Sequence, residues 1–378
     1  MHWHLACRAY GANEGLIVPE LKKDEIERYL RSILGPSLRV LSLEVLGEPR
    51  GDEIKGYGYG KPVLLNYQAH GQPRRAVLHT VSPGPFGHEH MSDRAQSLLW
   101  EHDAFNRLPE HVQSIDVGAF RRDGTTISLG DAEEFFLLTE YAEGRGYFED
   151  LIRMRDDPST NSLDIPRADA LCDYLIRIHQ RRGSDPELYV RRIRELVGHA
   201  ECIMGLIDSY PDNQDIVPRQ LLKEIEELSV DWRWRLKNRV HRLRQVHGDF
   251  HPWNILFREG VKFSLLDRSR GEWGEASDDV TCLAMNYLFF SLQRSGRLEG
   301  IFETLFRRFW ERYLSSSGDT EIVEVAAPFF AFRGLVMAHP VWYPNLNPEV
   351  RQKLFNFMKA VLCARIFVVD KVNEYCAA

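Results

Sequence analysis

The apolar residues of this chain change their rhythm once, near Gly144, and that change limits the folds open to it. Before it they come in four short runs, LRVLSLEVL, KPVLLNYQA, RRAVLHTV and EEFFLLTEY, rich in Val, Leu and aromatic residues and divided by Gly, Pro or charge. Such runs predict strands. Two stretches among them carry a helical period instead. In KKDEIERYLRSIL the apolar positions are Ile26, Tyr29, Leu30, Ile33 and Leu34, and Gly35-Pro36 ends the pattern; between His90 and Leu108 they are Leu98, Leu99, Ala104, Phe105 and Leu108. After Gly144 long helical segments take over: ADALCDYLIRIHQ, LYVRRIRELVGHAECIMGLI, LLKEIEEL, EIVEVAAPFFAFRGLVMA and VRQKLFNFMKAVLCARIFVV. A strand-rich part followed by a helix-rich part predicts an α+β chain of two lobes. The boundaries expected are 1–140 for an N-terminal antiparallel sheet lobe with a helix, 141–146 for a hinge, and 147–378 for a larger, mostly helical C-terminal lobe.

Charge and cysteine usage narrow the partners. The 55 acidic residues outnumber the 48 Lys and Arg, a net charge of −7, so nothing draws the chain as a whole to nucleic acid or to an anionic membrane. Cys7, Cys172, Cys202, Cys282, Cys363 and Cys376 are scattered with no CxxC pair, which predicts neither a disulfide framework nor a zinc site. No window approaches the ~20 apolar residues of a membrane span, and MHWHLACRAYGANEG lacks the basic flank and apolar core of a signal peptide. A cytoplasmic location is the expectation.

The segment VHGDFHPWNILF, Val246 to Phe257, is the most informative. It is followed by the apolar run FSLLD, which ends at Asp267. Phosphoryl transfer needs a carboxylate at the attacking hydroxyl and oxygen ligands that hold Mg²⁺ against nucleotide phosphates. His247, Asp249, Asn254 and Asp267 supply these groups. Asp249 and Asn254 stand five positions apart, the spacing of a kinase catalytic loop, and Asp267 ends the next strand-like run, where a kinase keeps its second metal-binding Asp.

On these residues the chain resembles the aminoglycoside phosphotransferase and choline kinase family, whose fold is protein-kinase-like. The agreement covers its HGDxxxxN loop and following Asp, LLTEYAEG at the hinge, LIRIH ending at His179, and SDDVTCL with Asp278 and Asp279. The resemblance spans roughly residues 40 to 370 and implies an ATP- or GTP-dependent phosphotransferase that phosphorylates a hydroxyl of a small molecule with Mg²⁺. It implies that Asp249 is catalytic, that His247 braces its loop, that Asn254 and Asp267 hold the metal, and that the backbone of Glu140, Tyr141 and Ala142 meets the purine. Asp279 ties the loop to the helix that follows.

Departures lie in the first lobe. Where the family places a phosphate-contacting Lys or Arg, RRAVLHTV has His79, whose neutral imidazole offers one donor and little charge; Lys61, Arg74 or Arg75 are the alternatives. Glu101 is the candidate partner for that position, with Glu89 and Asp93 behind it. Gly56, Gly58 and Gly60 in KGYGYGK suit a turn over phosphates, and equally a plain hairpin.

Three other readings compete. His79 motivates a kinase-shaped binding protein without catalysis, against which stands the retention of Asp249, Asn254 and Asp267. A protein kinase ranks lower, because the loop reads HGD and no APE-type segment follows. His251 completes an HxDxH string, but no other histidine forms the further cluster a metallohydrolase needs, so it reads as a loop residue near Trp253. Trp310, Trp342 and Tyr343 are core or pocket aromatics. The acceptor stays open. A cationic one calls for carboxylates, with Glu143, Glu149, Asp150, Glu272 and Glu275 available, whereas Arg268 and Arg270 suit either a phosphate, an anionic substrate or a salt bridge. Oligomeric state is not legible.

Overall fold

A computed structural model describes residues 21–46, 60, 62–84, 87–157, 159–213 and 216–377. The chain divides into two compact units, Met1–Thr139 and Glu140–Ala378, and the fold class is α+β.

In the first unit, helix α1 (Lys23–Leu34) precedes strands β1 (Arg39–Val45), β2 (Val63–Ala69) and β3 (Gln72–Leu78), which form one antiparallel sheet in that order. The β2–β3 turn is His70-Gly71, both at positive φ, as a two-residue hairpin requires. Ile26 and Leu30 of α1 share a core with Leu38, Val40, Leu65 and Tyr67. Helix α2 (Met91–Phe105) begins where the Asp93 carboxylate accepts the His90 backbone N–H at 2.7 Å.

The fourth strand-like run does not become a strand. Residues 133–141 have no regular structure, and Phe136, Leu137 and Leu138 are exposed. Apolar composition marks a segment able to pair, but a strand forms only where a neighbouring edge accepts its hydrogen bonds. A small hairpin absent from the sequence reading forms a separate two-stranded sheet, β4 (Gly118–Phe120) with β5 (Thr126–Ser128), turned by Asp123 and Gly124.

The second unit opens with β6 (Arg145–Gly146), α3 (Tyr147–Asp156), α4 (Asp164–His179), α5 (Pro186–Gly198), α6 (Ile203–Ser209) and α7 (Arg219–Leu236). The run LYVRRIRELVGHAECIMGLI is thus two helices, parted by an extended His199. Four short strands follow, β7 (Leu243–Gln245), β8 (Ile255–Phe257), β9 (Phe263–Leu265) and β10 (Trp273–Glu275); β8 lies between β6 and β9, and β7 pairs with β10. Then come α8 (Ala276–Ser295), α9 (Gly300–Ser317), α10 (Ile322–Val325), α11 (Ala327–Ala338), α12 (Pro348–Cys363) and α13 (Val372–Ala377). Helix α8 is buried on nearly every side. Among the described residues no helix is long and apolar enough to cross a membrane.

A buried ion pair pins the strands that lead into and away from the 246–257 segment. Arg242, just before β7, makes two hydrogen bonds of 2.7 and 2.9 Å to Glu275 at the end of β10, and both side chains are almost wholly buried. Asp319 takes the other edge of the guanidinium and the Tyr189 hydroxyl donates to Glu275. Removing one member of a buried pair leaves the other charge uncompensated. Glu275→Ala is therefore expected to cost about 3 kcal/mol in urea unfolding followed by tryptophan fluorescence; a loss under about 1 kcal/mol would mean that Asp319 and Glu321, 3.4 Å from the same guanidinium, satisfy Arg242 without it.

Candidate active site

Between β7 and β8 the chain must turn sharply, and two local features allow it. Gly248 has φ +87°, a conformation that suits glycine, and a Cβ there would sit 3.2 Å from the Cβ of Arg270. The backbone N–H groups of His247 and Gly248 each donate at 2.8 Å to the Asp279 carboxylate, one per oxygen. Asp279 is fully buried in the first turn of α8 and takes a third hydrogen bond from His179 Nε2 at 3.1 Å; His179 Nδ1 then accepts from the Tyr313 hydroxyl at 2.8 Å. Burial alone would raise the Asp279 pKa, but its hydrogen bonds and the neighbouring imidazoles outweigh that and lower it.

This clamp presents Asp249. Its Oδ1 accepts from Arg333 Nη1 at 2.5 Å, and Arg333 Nη2 donates to Gly248 O at 3.1 Å and to Asp278 Oδ1 at 2.6 Å. On the other side, His251 Nε2 lies 3.4 Å from Asp249 Oδ2. Because His251 Nδ1 accepts the Trp253 N–H, the neutral ring carries its proton on Nε2, facing the carboxylate. Burial pushes the Asp249 pKa up, yet the hydrogen bond from His251 and the charge of Arg333 prevail and hold it well below the usual carboxylate range. Asp278 differs: its burial outweighs Arg333, and its pKa is raised. His247 accepts the Asp249 N–H on Nδ1 at 3.3 Å and packs edge-on to Phe250, so it braces the loop from within.

Asn254 and Asp267 flank the same end of the β8–β9 hairpin. Ile255 pairs with Leu265, and the Leu266 N–H donates to Asn254 O at 2.9 Å. Asn254 Nδ2 is bound to Asp249 O at 3.1 Å, which leaves Oδ1 available. Asp267 is exposed and sits at φ +49°, a left-handed conformation uncommon outside glycine, with Oδ1 accepting the Ser269 N–H at 3.0 Å. An amide oxygen and a carboxylate oxygen fit Mg²⁺, which favours oxygen ligands and takes the rest from phosphate and water. Among the described residues no three His, Cys, Asp or Glu side chains converge as a metal cluster.

In the first unit, His79 follows β3 and Glu101 lies on α2; both line a cavity of about 460 Å³, although no hydrogen bond or ion pair joins them. Arg75 lines it too. Asp93 is engaged as a helix cap. Gly56, Gly58 and Lys61 lie outside the described residues. Glu140, Tyr141 and Ala142 have no regular structure, and their backbone groups make no hydrogen bond among the described residues.

Two neighbours of Asp249 went unrecognised in the sequence. His251 is more than a loop residue beside Trp253: its ring, 5.9 Å from Trp253, also faces Asp249. Arg333 was missed altogether, and its signal was a lone charge inside the apolar run of α11. Trp310 is fully buried, a core residue, while Trp342 is exposed and Tyr343 packs on Phe289.

Two expectations follow. Arg333→Met, which strands Asp249 and Asp278 without their cation, should cost about 3 to 5 kcal/mol in chemical denaturation. A carboxylate whose folded pKa is depressed adds stability above its unfolded value, about 3.9, and loses it as pH falls toward the folded value. Asp249→Asn should therefore flatten the fall in unfolding midpoint below about pH 4; an unchanged slope would show that Asp249 does not titrate with folding.

Comparison with known proteins gives the family. A family model described as the phosphotransferase enzyme family (APH) matches residues 65–314. No curated protein sequence matches significantly. Similar solved structures include an ADP-bound aminoglycoside phosphotransferase APH(2'')-Ib, at 12% identity and TM-score 0.33 over 90% of this chain and 99% of that one. A glucosamine kinase gives 14% identity and TM-score 0.35 over 93% and 95%, and a Plasmodium vivax ethanolamine kinase 10% and 0.31 over 90% and 80%. The loop clamped by Asp279 lies inside the stretch that the family model matches, and the chain belongs to the phosphotransferase enzyme family.

Proposed function

We propose that this chain transfers the terminal phosphoryl group of ATP or GTP to a hydroxyl group of a small molecule. The observation that carries the reading is the Asp249 carboxylate, kept ionised by His251 and Arg333 and fixed by the Asp279 clamp, in the loop that leads into the β8–β9 hairpin flanked by Asn254 and Asp267. Asp249 accepts a hydrogen bond from the acceptor hydroxyl and aims its oxygen at the phosphorus. The new O–P bond forms as the bond to the bridging oxygen of the leaving diphosphate breaks, and the hydroxyl proton passes to Asp249. A carboxylate of depressed pKa is a weak base. That suits a loose transition state, in which orientation matters more than early proton removal.

Asn254 Oδ1 and the Asp267 carboxylate are the proposed Mg²⁺ ligands, and the metal, when bound, supplies positive charge against the phosphate oxygens. The backbone of Glu140 to Ala142 is the proposed contact of the purine, and its N–H and C=O groups, unpaired among the described residues, are the kind such a contact uses. His79 takes the place of the phosphate-contacting cation. A binding protein without turnover is the reading that His79 favours.

With Mg²⁺, calorimetry should detect ATP or GTP binding below millimolar concentration; absence of binding by both would sink the reading. Asp249→Asn should lower kcat by roughly 10²- to 10⁴-fold while nucleotide affinity is kept, whereas Asp267→Ala should weaken Mg-nucleotide binding as well. Near-native turnover in Asp249→Asn would remove the assigned role. At the other end of the nucleotide, His79→Lys should tighten binding by about 1 to 2 kcal/mol through a permanent charge-assisted contact. If the wild type binds without turnover and the lysine variant behaves alike, the binding-protein reading is the better account.

A further inference from the structure

Arg268 and Arg270 both follow Asp267, but they end in different places. Arg268 stays exposed but is tied to the backbone, donating through Nε and Nη2 to Val246 O at 3.2 and 2.7 Å. Arg270 makes no hydrogen bond and no ion pair among the described residues. Its guanidinium carbon lies 4.6 Å from the centre of the Phe332 ring, and that of Arg333 lies 4.5 Å from the same ring. An aromatic face holds a cation in position without neutralising it. Arg333 in turn grips Asp249, so Arg270 stands one ring away from the arginine that holds the proposed catalytic carboxylate. Its charge helps to keep that carboxylate ionised, and the Cβ of Arg270 closely approaches Gly248, the residue before it.

The carboxylates that a cationic acceptor would require are largely engaged. Glu149 accepts from Arg145 at 2.7 Å, Asp150 from Arg167 at 2.5 Å, and Glu275 from Arg242 and Tyr189. Glu272 accepts from the Trp273 indole at 2.8 Å. Of the five candidates Glu143 alone has no partner among the described residues. Arg270 has Asp249 and Asp278 as through-space charge partners but no direct ion pair among the described residues, and four of the five carboxylates already accept hydrogen bonds; together these favour an anion.

We propose that the acceptor carries a carboxylate or phosphate group, bound by Arg270 while the acceptor's hydroxyl meets Asp249. This rests on the phosphotransferase reading and adds to it the charge of the substrate.

The test uses the full chain, Mg-ATP, and acceptors of similar size and different charge: glycerate and glycerol 3-phosphate, glycerol, and 3-amino-1,2-propanediol with choline. ADP release is expected with the anionic members. Arg270→Gln should raise the KM of the best anionic acceptor roughly ten- to hundredfold, the loss appearing in that KM more than in kcat or in the KM for Mg-ATP, and Arg270→Lys should recover part of it. Preference for neutral or cationic acceptors overturns the proposal. So does a rise confined to the KM for Mg-ATP, which would assign Arg270 to the nucleotide, or a fall in kcat alone, which would make it a counter-charge for Asp249. If no compound turns over, malonate is titrated into protein saturated with Mg-AMPPNP. Binding that weakens tenfold or more in Arg270→Gln supports the proposal, and no binding, or equal binding by both proteins, overturns it. Failure of Mg-AMPPNP itself to bind would instead remove the phosphotransferase reading, and this inference with it.

Discussion

Three hydrogen bonds to one buried carboxylate set the geometry on which the site depends. Asp279 accepts the N–H groups of His247 and Gly248 and a ring proton of His179. A carboxylate with no exposed surface survives in the interior only when its lone pairs are filled, and two backbone N–H groups in a tight turn need acceptors just as much. Each solves the other's problem. Since α8 is buried almost all round, the loop takes its position from the centre of the second unit, and a loop fixed in this way can hold a reactive side chain with little slack.

Around Asp249 the charges form a cluster in which Arg333 serves two carboxylates with different outcomes. Asp249 stays ionised because His251 and Arg333 act together, while burial raises the pKa of Asp278 despite the same guanidinium. Two acids on one cation thereby acquire different properties from their surroundings. Asp278 reads as structural support, and Asp249 is the proposed catalytic member.

How much of this was readable in the sequence depended on whether the cause was local. The helices α1 and α2 and the sheet β1–β3 follow from periods that neighbouring residues create, and the loop from Val246 to Asp267 declares itself through spacing. Helix α8 was marked only through the resemblance, because a helix buried on nearly every face has no polar side to mark its period, whereas α9 went unidentified although it keeps an exposed charged face with Arg308 and Glu311. The run from Glu133 to Tyr141 misled for the opposite reason: its composition suits a strand, but pairing depends on a distant edge. Arg333 lies 84 positions from Asp249. Nothing in the local sequence joins them, although a single guanidinium among Phe, Ala, Leu and Val calls for a buried partner.

The triangle of Arg333, Asp249 and Asp278 also bears on descent. Each charge is tolerated in the interior because the others are present, so loss of Arg333 by itself leaves an intermediate with stranded carboxylates, and loss of Asp278 by itself leaves a cation half-served. A lineage keeping Asp249 can therefore be expected to change the other two positions as a pair. Helix α11 and the first turn of α8, remote in sequence, carry one inherited character between them.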